Sequence, residues 1–368
     1  MENGTLDEAL QRLHRTGPEF DGWLSNHAPM AAEALIRHGH AGDVHQWIDD
    51  YLDHLEEVPR GISPIAADGW RDPLGDSSRT GDWLVFFERE VRAQPWRDVL
   101  AAWWPRLLPG IAAGATHGVI RVGHAVRALL DEETPVRVAE LGQGLAYWAA
   151  RWQPLAPAGQ GPYRAGDPRA ALDAVPRVPD QRFGIRSRLA QLADLPAWPR
   201  AAGAVPGEGE VADRLRAIVT AAVQRHLRYG YGSPVMMVHA ATAPAAVLRA
   251  LPALPPELGL PSLEAAWAAS AAVTAAYSPA EPDPAVAATS PGEPEPAVAA
   301  TSSSREPGPA LMQDGSPDPD EVFDRAVASG DAHAIKFADA AVEMWRARPD
   351  PVLLHAARHG TELIGPAA

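Results

Sequence analysis

The stretch IAAGATHGVIRVGHAVRALL, residues 111–130, decides the fold class. It follows the break Pro109-Gly110 and is a long apolar run without the polar–apolar alternation of a half-buried strand. Its neighbours read the same way. On the N-terminal side, amphipathic helices are expected at 6–15, from Ser25-Asn26-His27-Ala28-Pro29 to about His38, at 43–55, 82–93 and 96–107. The cap-type residue ahead of a first-turn proline marks the second of these as a helix start. On the C-terminal side, helices are expected at 136–152, 185–192, 210–229, 233–251, 262–276, 319–329, 331–348 and 352–358. Strand signals are scarce, because alternation is absent and β-branched residues are few. The reading is all-α, a single large helical domain.

Three spans interrupt it. Residues 59–80 and 153–182 are rich in Pro and Gly and read as loops. Between Ser278 and Asp320, EPDPAVAATS at 281–290 recurs as EPEPAVAATS at 293–302, a tandem repeat with a 12-residue period. Two copies of Pro/Ala/Ser sequence make a disordered insertion rather than a solenoid. The expected organisation is a helical core at 1–277, a low-complexity linker at 278–320, and C-terminal helices at 321–368. Those last helices bury too little alone and must dock on the core.

Composition narrows the function. The net charge of −15, spread along the chain, opposes nucleic acid and anionic membrane surfaces as partners. The absence of cysteine excludes disulfides, thiolate nucleophiles, iron–sulfur clusters and Cys-based zinc sites. MENGTLDEALQRL lacks the basic start and apolar segment of a signal peptide, and no run approaches 18 consecutive apolar residues. A cytoplasmic protein with no membrane span is expected. Of 32 basic residues, 31 are arginine and one is Lys336. Either one lysine has survived by chance on a solvated face, or a primary amine is needed where arginine, always protonated, cannot serve.

The candidate chemistry sits on histidines. His333 and Lys336 lie three apart on an expected helix, with Cβ atoms about 5–6 Å apart on one face. Lys336 also borders the arc of Asp339, Glu343 and Arg346, where a solvated lysine would be ordinary. His117 is surrounded by small residues from Ala112 to Gly118, so something approaches it closely, a neighbouring helix or a ligand. His124 lies seven residues on, about 10.5 Å along the axis. That is too far to share one metal with His117, but it can line the same cleft as the candidate catalytic residue. His239 follows a capped start at Ser233-Pro234, and Thr242-Ala243-Pro244 is expected to break the helix just after it. A satisfied core histidine remains the alternative there, as it does for His27. His38-Gly39-His40 imitates a metal-hydrolase pair at a helix end. Gly142-Gln143-Gly144 resembles half a dinucleotide fingerprint but lacks a preceding strand. The twelve tryptophans are core or a stacking surface for a flat ligand.

Several stretches together resemble the questin oxidase-like family, whose members act in aromatic polyketide metabolism. They are Ser25-Asn26-His27-Ala28-Pro29-Met30, Asp82-Trp83-Leu84-Val85-Phe86-Phe87, and Leu107-Leu108-Pro109-Gly110 leading to His117-Gly118-Val119-Ile120-Arg121. They continue with His239-Ala240-Ala241-Thr242-Ala243-Pro244 and His333-Ala334-Ile335-Lys336. The repeat-bearing segment has no counterpart in that pattern. The resemblance implies an oxygenase that opens or cleaves a ring of an anthraquinone-type substrate with O2. It implies a non-haem Fe(II) site held by His27, His117, His239 and His333, with Lys336 carrying a CO2-derived carbamate. Baeyer–Villiger-type members use NADPH, which the resemblance brings in as a further cofactor. Competing readings are a metal-dependent hydrolase with the same modified lysine, a metal-free NADPH-assisted oxygenase, and a non-catalytic helical binding protein.

Overall fold

Four helices begin with Thr or Asp followed by Pro. Thr134 accepts the N–H of Arg137 ahead of Pro135, and Asp167, Asp318 and Asp350 cap in the same way ahead of Pro168, Pro319 and Pro351. The side chain satisfies one orphan N–H while the proline supplies a helical φ, a start worth about 1 kcal/mol per cap. A computed structural model describes residues 2–159, 166–287 and 317–367.

The N-terminal helices are α1 (Glu2–Leu13), α2 (Ala28–Arg37) and α3 (Val44–Leu52). Between the first two lies the only paired sheet among the described residues, β1 (Glu19–Phe20) antiparallel to β2 (Leu24–Ser25). Then come α4 (Thr80–Ala93), α5 (Trp96–Leu107), α6 (His117–Asp131) and α7 (Pro135–Arg151). Short helices follow: α8 (Pro168–Asp173) inside the span expected to be loop, α9 (Ile185–Ala190) where a helix was expected at 185–192, and α10 (Trp198–Gly203) in a stretch left unassigned. The chain continues through α11 (Val211–Tyr229), α12 (Pro234–Met237), α13 (His239–Ala250), α14 (Gly259–Tyr277) and the one-turn α15 (Pro284–Ala287). After the undescribed span it resumes with α16 (Pro319–Ala328), α17 (Ala332–Ala347) and α18 (Pro351–Ile364). The all-α reading holds. The tandem repeat at 281–302 lies mostly outside the described residues, and α16 begins inside the end of the expected linker.

Four helices close a ring, with α2 packed on α6, α6 on α13, α13 on α17, and α17 on α2. Each has a histidine at its N-terminal end and a charged side chain farther along. The histidines contact one another, and so do the charged groups Glu33, Arg127, Arg249 and Asp339. Two shared layers in the same sequence order mean that the four helices run parallel. Parallel neighbours need long return connections, and α3–α5, α7–α12 and α14–α16 supply them. Small residues let the ring tighten: a Cβ at Gly123 of α6 would fall 2.6 Å from the Cα of Ala246 on α13.

The expected break after His239 is not where the structure breaks. The chain jogs at Val238, ahead of the histidine, and α13 runs unbroken through Pro244. Proline has no N–H to give the carbonyl of Ala240. The Ser270 hydroxyl of α14 donates to that carbonyl instead, at 2.7 Å, so the helix continues. The segment Pro234–Ala253 is long and apolar enough to cross a membrane by length and composition alone. It is 72% buried inside the fold and carries His239 and Arg249 into the two polar layers, which makes it a core helix.

The C-terminal helices meet the core through specific bonds. Trp47 donates to the carbonyl of Gly330 at 3.0 Å, and His40 bonds Asp324 at 3.0 Å. His38 stacks on Phe323 with ring centroids 3.9 Å apart. The His38-Gly39-His40 pair therefore ties α2 to α16 and α17 rather than holding a metal.

Buried carboxylates make the fold acid-sensitive. Burial would raise Glu140, but Arg121 and His14 outweigh it and hold the carboxyl down at about 2. The ordinary value is 4.5, so the stabilisation is complete above pH 4.5 and is lost as pH falls toward 2. Glu140→Gln is expected to lower stability at pH 7 by roughly 3 kcal/mol and to flatten the acid limb below pH 4.5. Urea titrations at several pH values check this. Parallel pH profiles for parent and variant would show that the pair contributes nothing.

Candidate metal centre

His27 precedes α2 as its N-cap, His117 and His239 are the first residues of α6 and α13, and His333 is the second residue of α17. Four rings from distant parts of the chain thus meet at one point. The Nε2 of His117 lies 2.8 Å from that of His27 and 3.0 Å from that of His239. Ring centroids of His27 and His333 are 4.4 Å apart, and those of His239 and His333 are 5.5 Å apart. Potential ligand nitrogens of His27, His117 and His333 all fall within 4.8 Å of one another.

The outward nitrogens decide the inward ones. Nδ1 of His117 faces the carbonyl of Gly114 at 2.6 Å, and Nδ1 of His239 faces that of Met236 at 3.1 Å. A carbonyl only accepts, so both Nδ1 atoms carry hydrogen and both neutral Nε2 atoms present lone pairs. The carboxylate of Asp331 fixes His333 in the same way at 3.3 Å, while also capping α17 through the N–H of His333. His27 Nδ1 meets the hydroxyl of Tyr51 at 3.1 Å, and that oxygen also accepts the N–H of His27.

The lone pairs of His117 and His239 therefore face each other across 3.0 Å. A proton or a cation between them relieves that repulsion. Burial opposes the proton. His27 and His117 are held well below 6.5 by burial first and by the nearby Lys336 charge second. For His239, burial leads and the neighbouring His117 follows, with Lys336 third. His333 is lowered by burial and then by Lys336. Neutral imidazoles with fixed outward partners are what a metal ion takes as ligands. Nitrogens sharing one ion at about 2.1 Å each, at right angles, lie roughly 3 Å apart. The donor set fits a metal.

Lys336 is fully buried, its Nζ has no hydrogen-bond partner among the described residues, and its charged form opposes protonation of all four rings. It is not the solvated lysine that its helical arc allowed. Burial pushes its amine down to about 7, against a smaller opposing effect of Asp331, so much of it is neutral near neutral pH. A neutral amine can react with CO2, and a buried ammonium with no partner is costly.

Backbone strain sets His117. Gly114, Ala115 and Thr116 have φ of +54°, +54° and +66°, three left-handed residues in succession. Such a conformation is uncommon for alanine and an outlier for β-branched threonine. The turn carries the Gly114 carbonyl around to His117 Nδ1. The small residues near this histidine have two explanations. Gly114 allows the turn, and Gly118 allows a helix to approach, since a Cβ there would lie 2.6 Å from Trp148.

The other expected residues fall elsewhere. His124 is absent from the four-ring contacts; Nδ1 bonds Glu33 at 2.7 Å and Nε2 meets Arg249 at 3.0 Å. Gly142-Gln143-Gly144 lies inside α7 with no strand before it. No tryptophan contacts the four rings among the described residues; Phe20 and Tyr51 stand beside them, with Phe20 6.3 Å from His27. Trp23 alone of the twelve is largely exposed. Tyr51 and Asp331 had no distinguishing local signal as ring partners, although Asp331 two residues before His333 fits a cap.

Residues 24–150 match the questin oxidase-like family. No curated protein matches the chain. The matched stretch holds His27 and His117, while His239, His333 and Lys336 lie beyond it.

The strained turn gives a paired test. Ala115→Gly is expected to raise stability by about 1 kcal/mol, since glycine adopts the left-handed conformation without penalty. Gly118→Ala is expected to lower it by about 2 kcal/mol or more, because Trp148 must move. Thermal melts of both variants check this, and a neutral or harmful Ala115→Gly would show that the turn stores no strain.

Proposed function

We propose that this protein is a metal-dependent oxygenase, with iron(II) as the preferred metal, acting on a polycyclic aromatic polyketide. The observation that carries the reading is the convergence of Nε2 lone pairs, fixed by outward acceptors, beside a buried and unpartnered lysine amine. His27, His117, His239 and His333 would hold the metal. Lys336 would add an oxygen donor after taking up CO2: its neutral Nζ forms a bond to the carbon, one proton leaves, and a carbamate results. Arginine cannot follow this route because it stays protonated, which gives a reason for one lysine among 31 arginines.

A redox-active metal in this site supplies the activation of O2 toward an electron-rich ring. The chain's own groups prepare the place. Asp331 and the carbonyls of Gly114 and Met236 hold three rings in one tautomer. The N-termini of α2, α6 and α17 bring positive dipole ends toward the centre, which favours an anion such as the carbamate or a phenolate of the substrate. Phe20 and Tyr51 cover His27 and exclude water. His333 has the most exposed ring, its side chain 15% accessible, so the substrate approaches from its side. His124, with both nitrogens occupied, is assigned a supporting role rather than contact with the reacting atoms.

Elemental analysis of the purified protein beside Lys336→Arg, with and without bicarbonate, tests the reading. Stoichiometric iron and a carbamate signal after ¹³C-bicarbonate labelling are expected in the parent, and both should be lost in a variant that keeps its helical circular dichroism. No metal in either protein, even after anaerobic Fe(II) reconstitution, would overturn the reading.

A further inference from the structure

Six to ten residues beyond its histidine, each helix of the ring carries a side chain into a second polar layer. Glu33 is six residues after His27, and His124 and Arg127 are seven and ten after His117. Arg249 is ten after His239, and Asp339 and Glu343 are six and ten after His333. At 1.5 Å per residue this layer lies about 9–15 Å along the helices. Arg127 joins Glu33 (2.8 Å) to Asp339 (2.9 Å). Arg249 grips Asp339 and Glu343, both at 2.6 Å. His124 spans Glu33 and Arg249, and His38, just beyond α2, bonds Asp339 at 3.0 Å. Asp339 and Arg249 are almost wholly buried. Glu33, His124 and Asp339 cluster tightly enough to suggest a second metal site, but two guanidinium groups already occupy the space among them.

We propose that this network is the positioning element of the histidine site, fixing the rotation and axial register of the four parallel helices so that their ring nitrogens meet. The inference rests on the metal reading above. Apolar packing cannot set that register alone. The contact between α6 and α13 includes the close approach of Gly123 to Ala246, and α13 reads His239-Ala-Ala-Thr-Ala-Pro-Ala-Ala246, a run of small side chains that offers few large knobs to fix an axial position. Guanidinium–carboxylate bonds are directional, and displacement of one helix by a single residue rise would break several. Metal ligation tolerates only about 0.2 Å, so the rings need a constraint of that kind. Buried ion networks add little net stability over apolar residues of the same size. What this one supplies is geometry, and every group in it belongs to a ring-bearing helix or to His38 beside one.

Co(II) alone is the probe, read by the visible absorption of the coordinated ion in the full chain, for the parent, Asp339→Asn, Glu343→Gln and Glu140→Gln. Glu140 stands on α7, a helix that brings no ring histidine, and pairs with Arg121 of α6 outside the charged network, so its loss should cost stability while leaving that network intact. Asp339→Asn is expected to weaken Co(II) binding about ten-fold or more and to change the band pattern. Glu140→Gln should lower the melting temperature and leave both unchanged. Glu343→Gln, at the partly exposed edge, gives a milder shift in the same direction and decides the matter if Asp339→Asn does not fold. Equal binding by the parent and the folded network variants would overturn the inference alone, as would an equal loss in Glu140→Gln. A parent that takes up no Co(II) would overturn the metal reading and this inference with it.

Discussion

Everything in this fold answers to one constraint, that four parallel helices must present imidazole nitrogens to a single buried point. Parallel neighbours are not the easy way to pack helices. Their dipoles align, and each return to the starting end needs a long connection. The chain accepts both. Its other helices serve largely as those returns, and α14, apolar all round and buried, closes the centre behind α13. Its Ser270 repairs the bond that Pro244 removes, so α13 stays rigid behind His239.

Two polar layers then divide the work across the ring. The first is made of neutral groups, the four imidazoles and the amine of Lys336, whose charged forms are opposed by burial and by one another. The second is made of full charges that neutralise one another through arginine. A layer of unpaired charges or of unpartnered neutral donors would be unfavourable. The second layer is complete, whereas the first leaves converging lone pairs and a bare amine.

Local sequence misleads where a side chain's partner lies far away in the chain. Lys336, Asp339 and Glu343 look like the polar face of a solvated helix. In the fold α2, α6 and α13 cover that face, so the Lys336 amine is fully buried and Asp339 is an ion-pair hub. His124 shares a helix with His117, but seven residues carry it into the charged layer. Pro244 looks like a helix break and is not one, because the bond that rescues it comes from α14. A spacing signal for the second layer was present: Arg127, Arg249 and Glu343 each stand ten residues after a ring histidine.

The sequence by itself determined the helical class, most helix positions, the position of the repeat, and a set of histidines and one lysine worth watching. It could do so because periodicity, caps and composition act within a few residues of chain. Tertiary structure alone decided that the helices of the ring run parallel, that four histidines share one point, and which ring nitrogen of each faces inward. It also decided that Lys336 is fully buried and that its Nζ has no hydrogen-bond partner among the described residues. Those outcomes depend on contacts across 90 residues or more, such as His27 with His117 and His117 with His239, and on burial. Burial is a property of what surrounds a side chain, and no local stretch of sequence contains it.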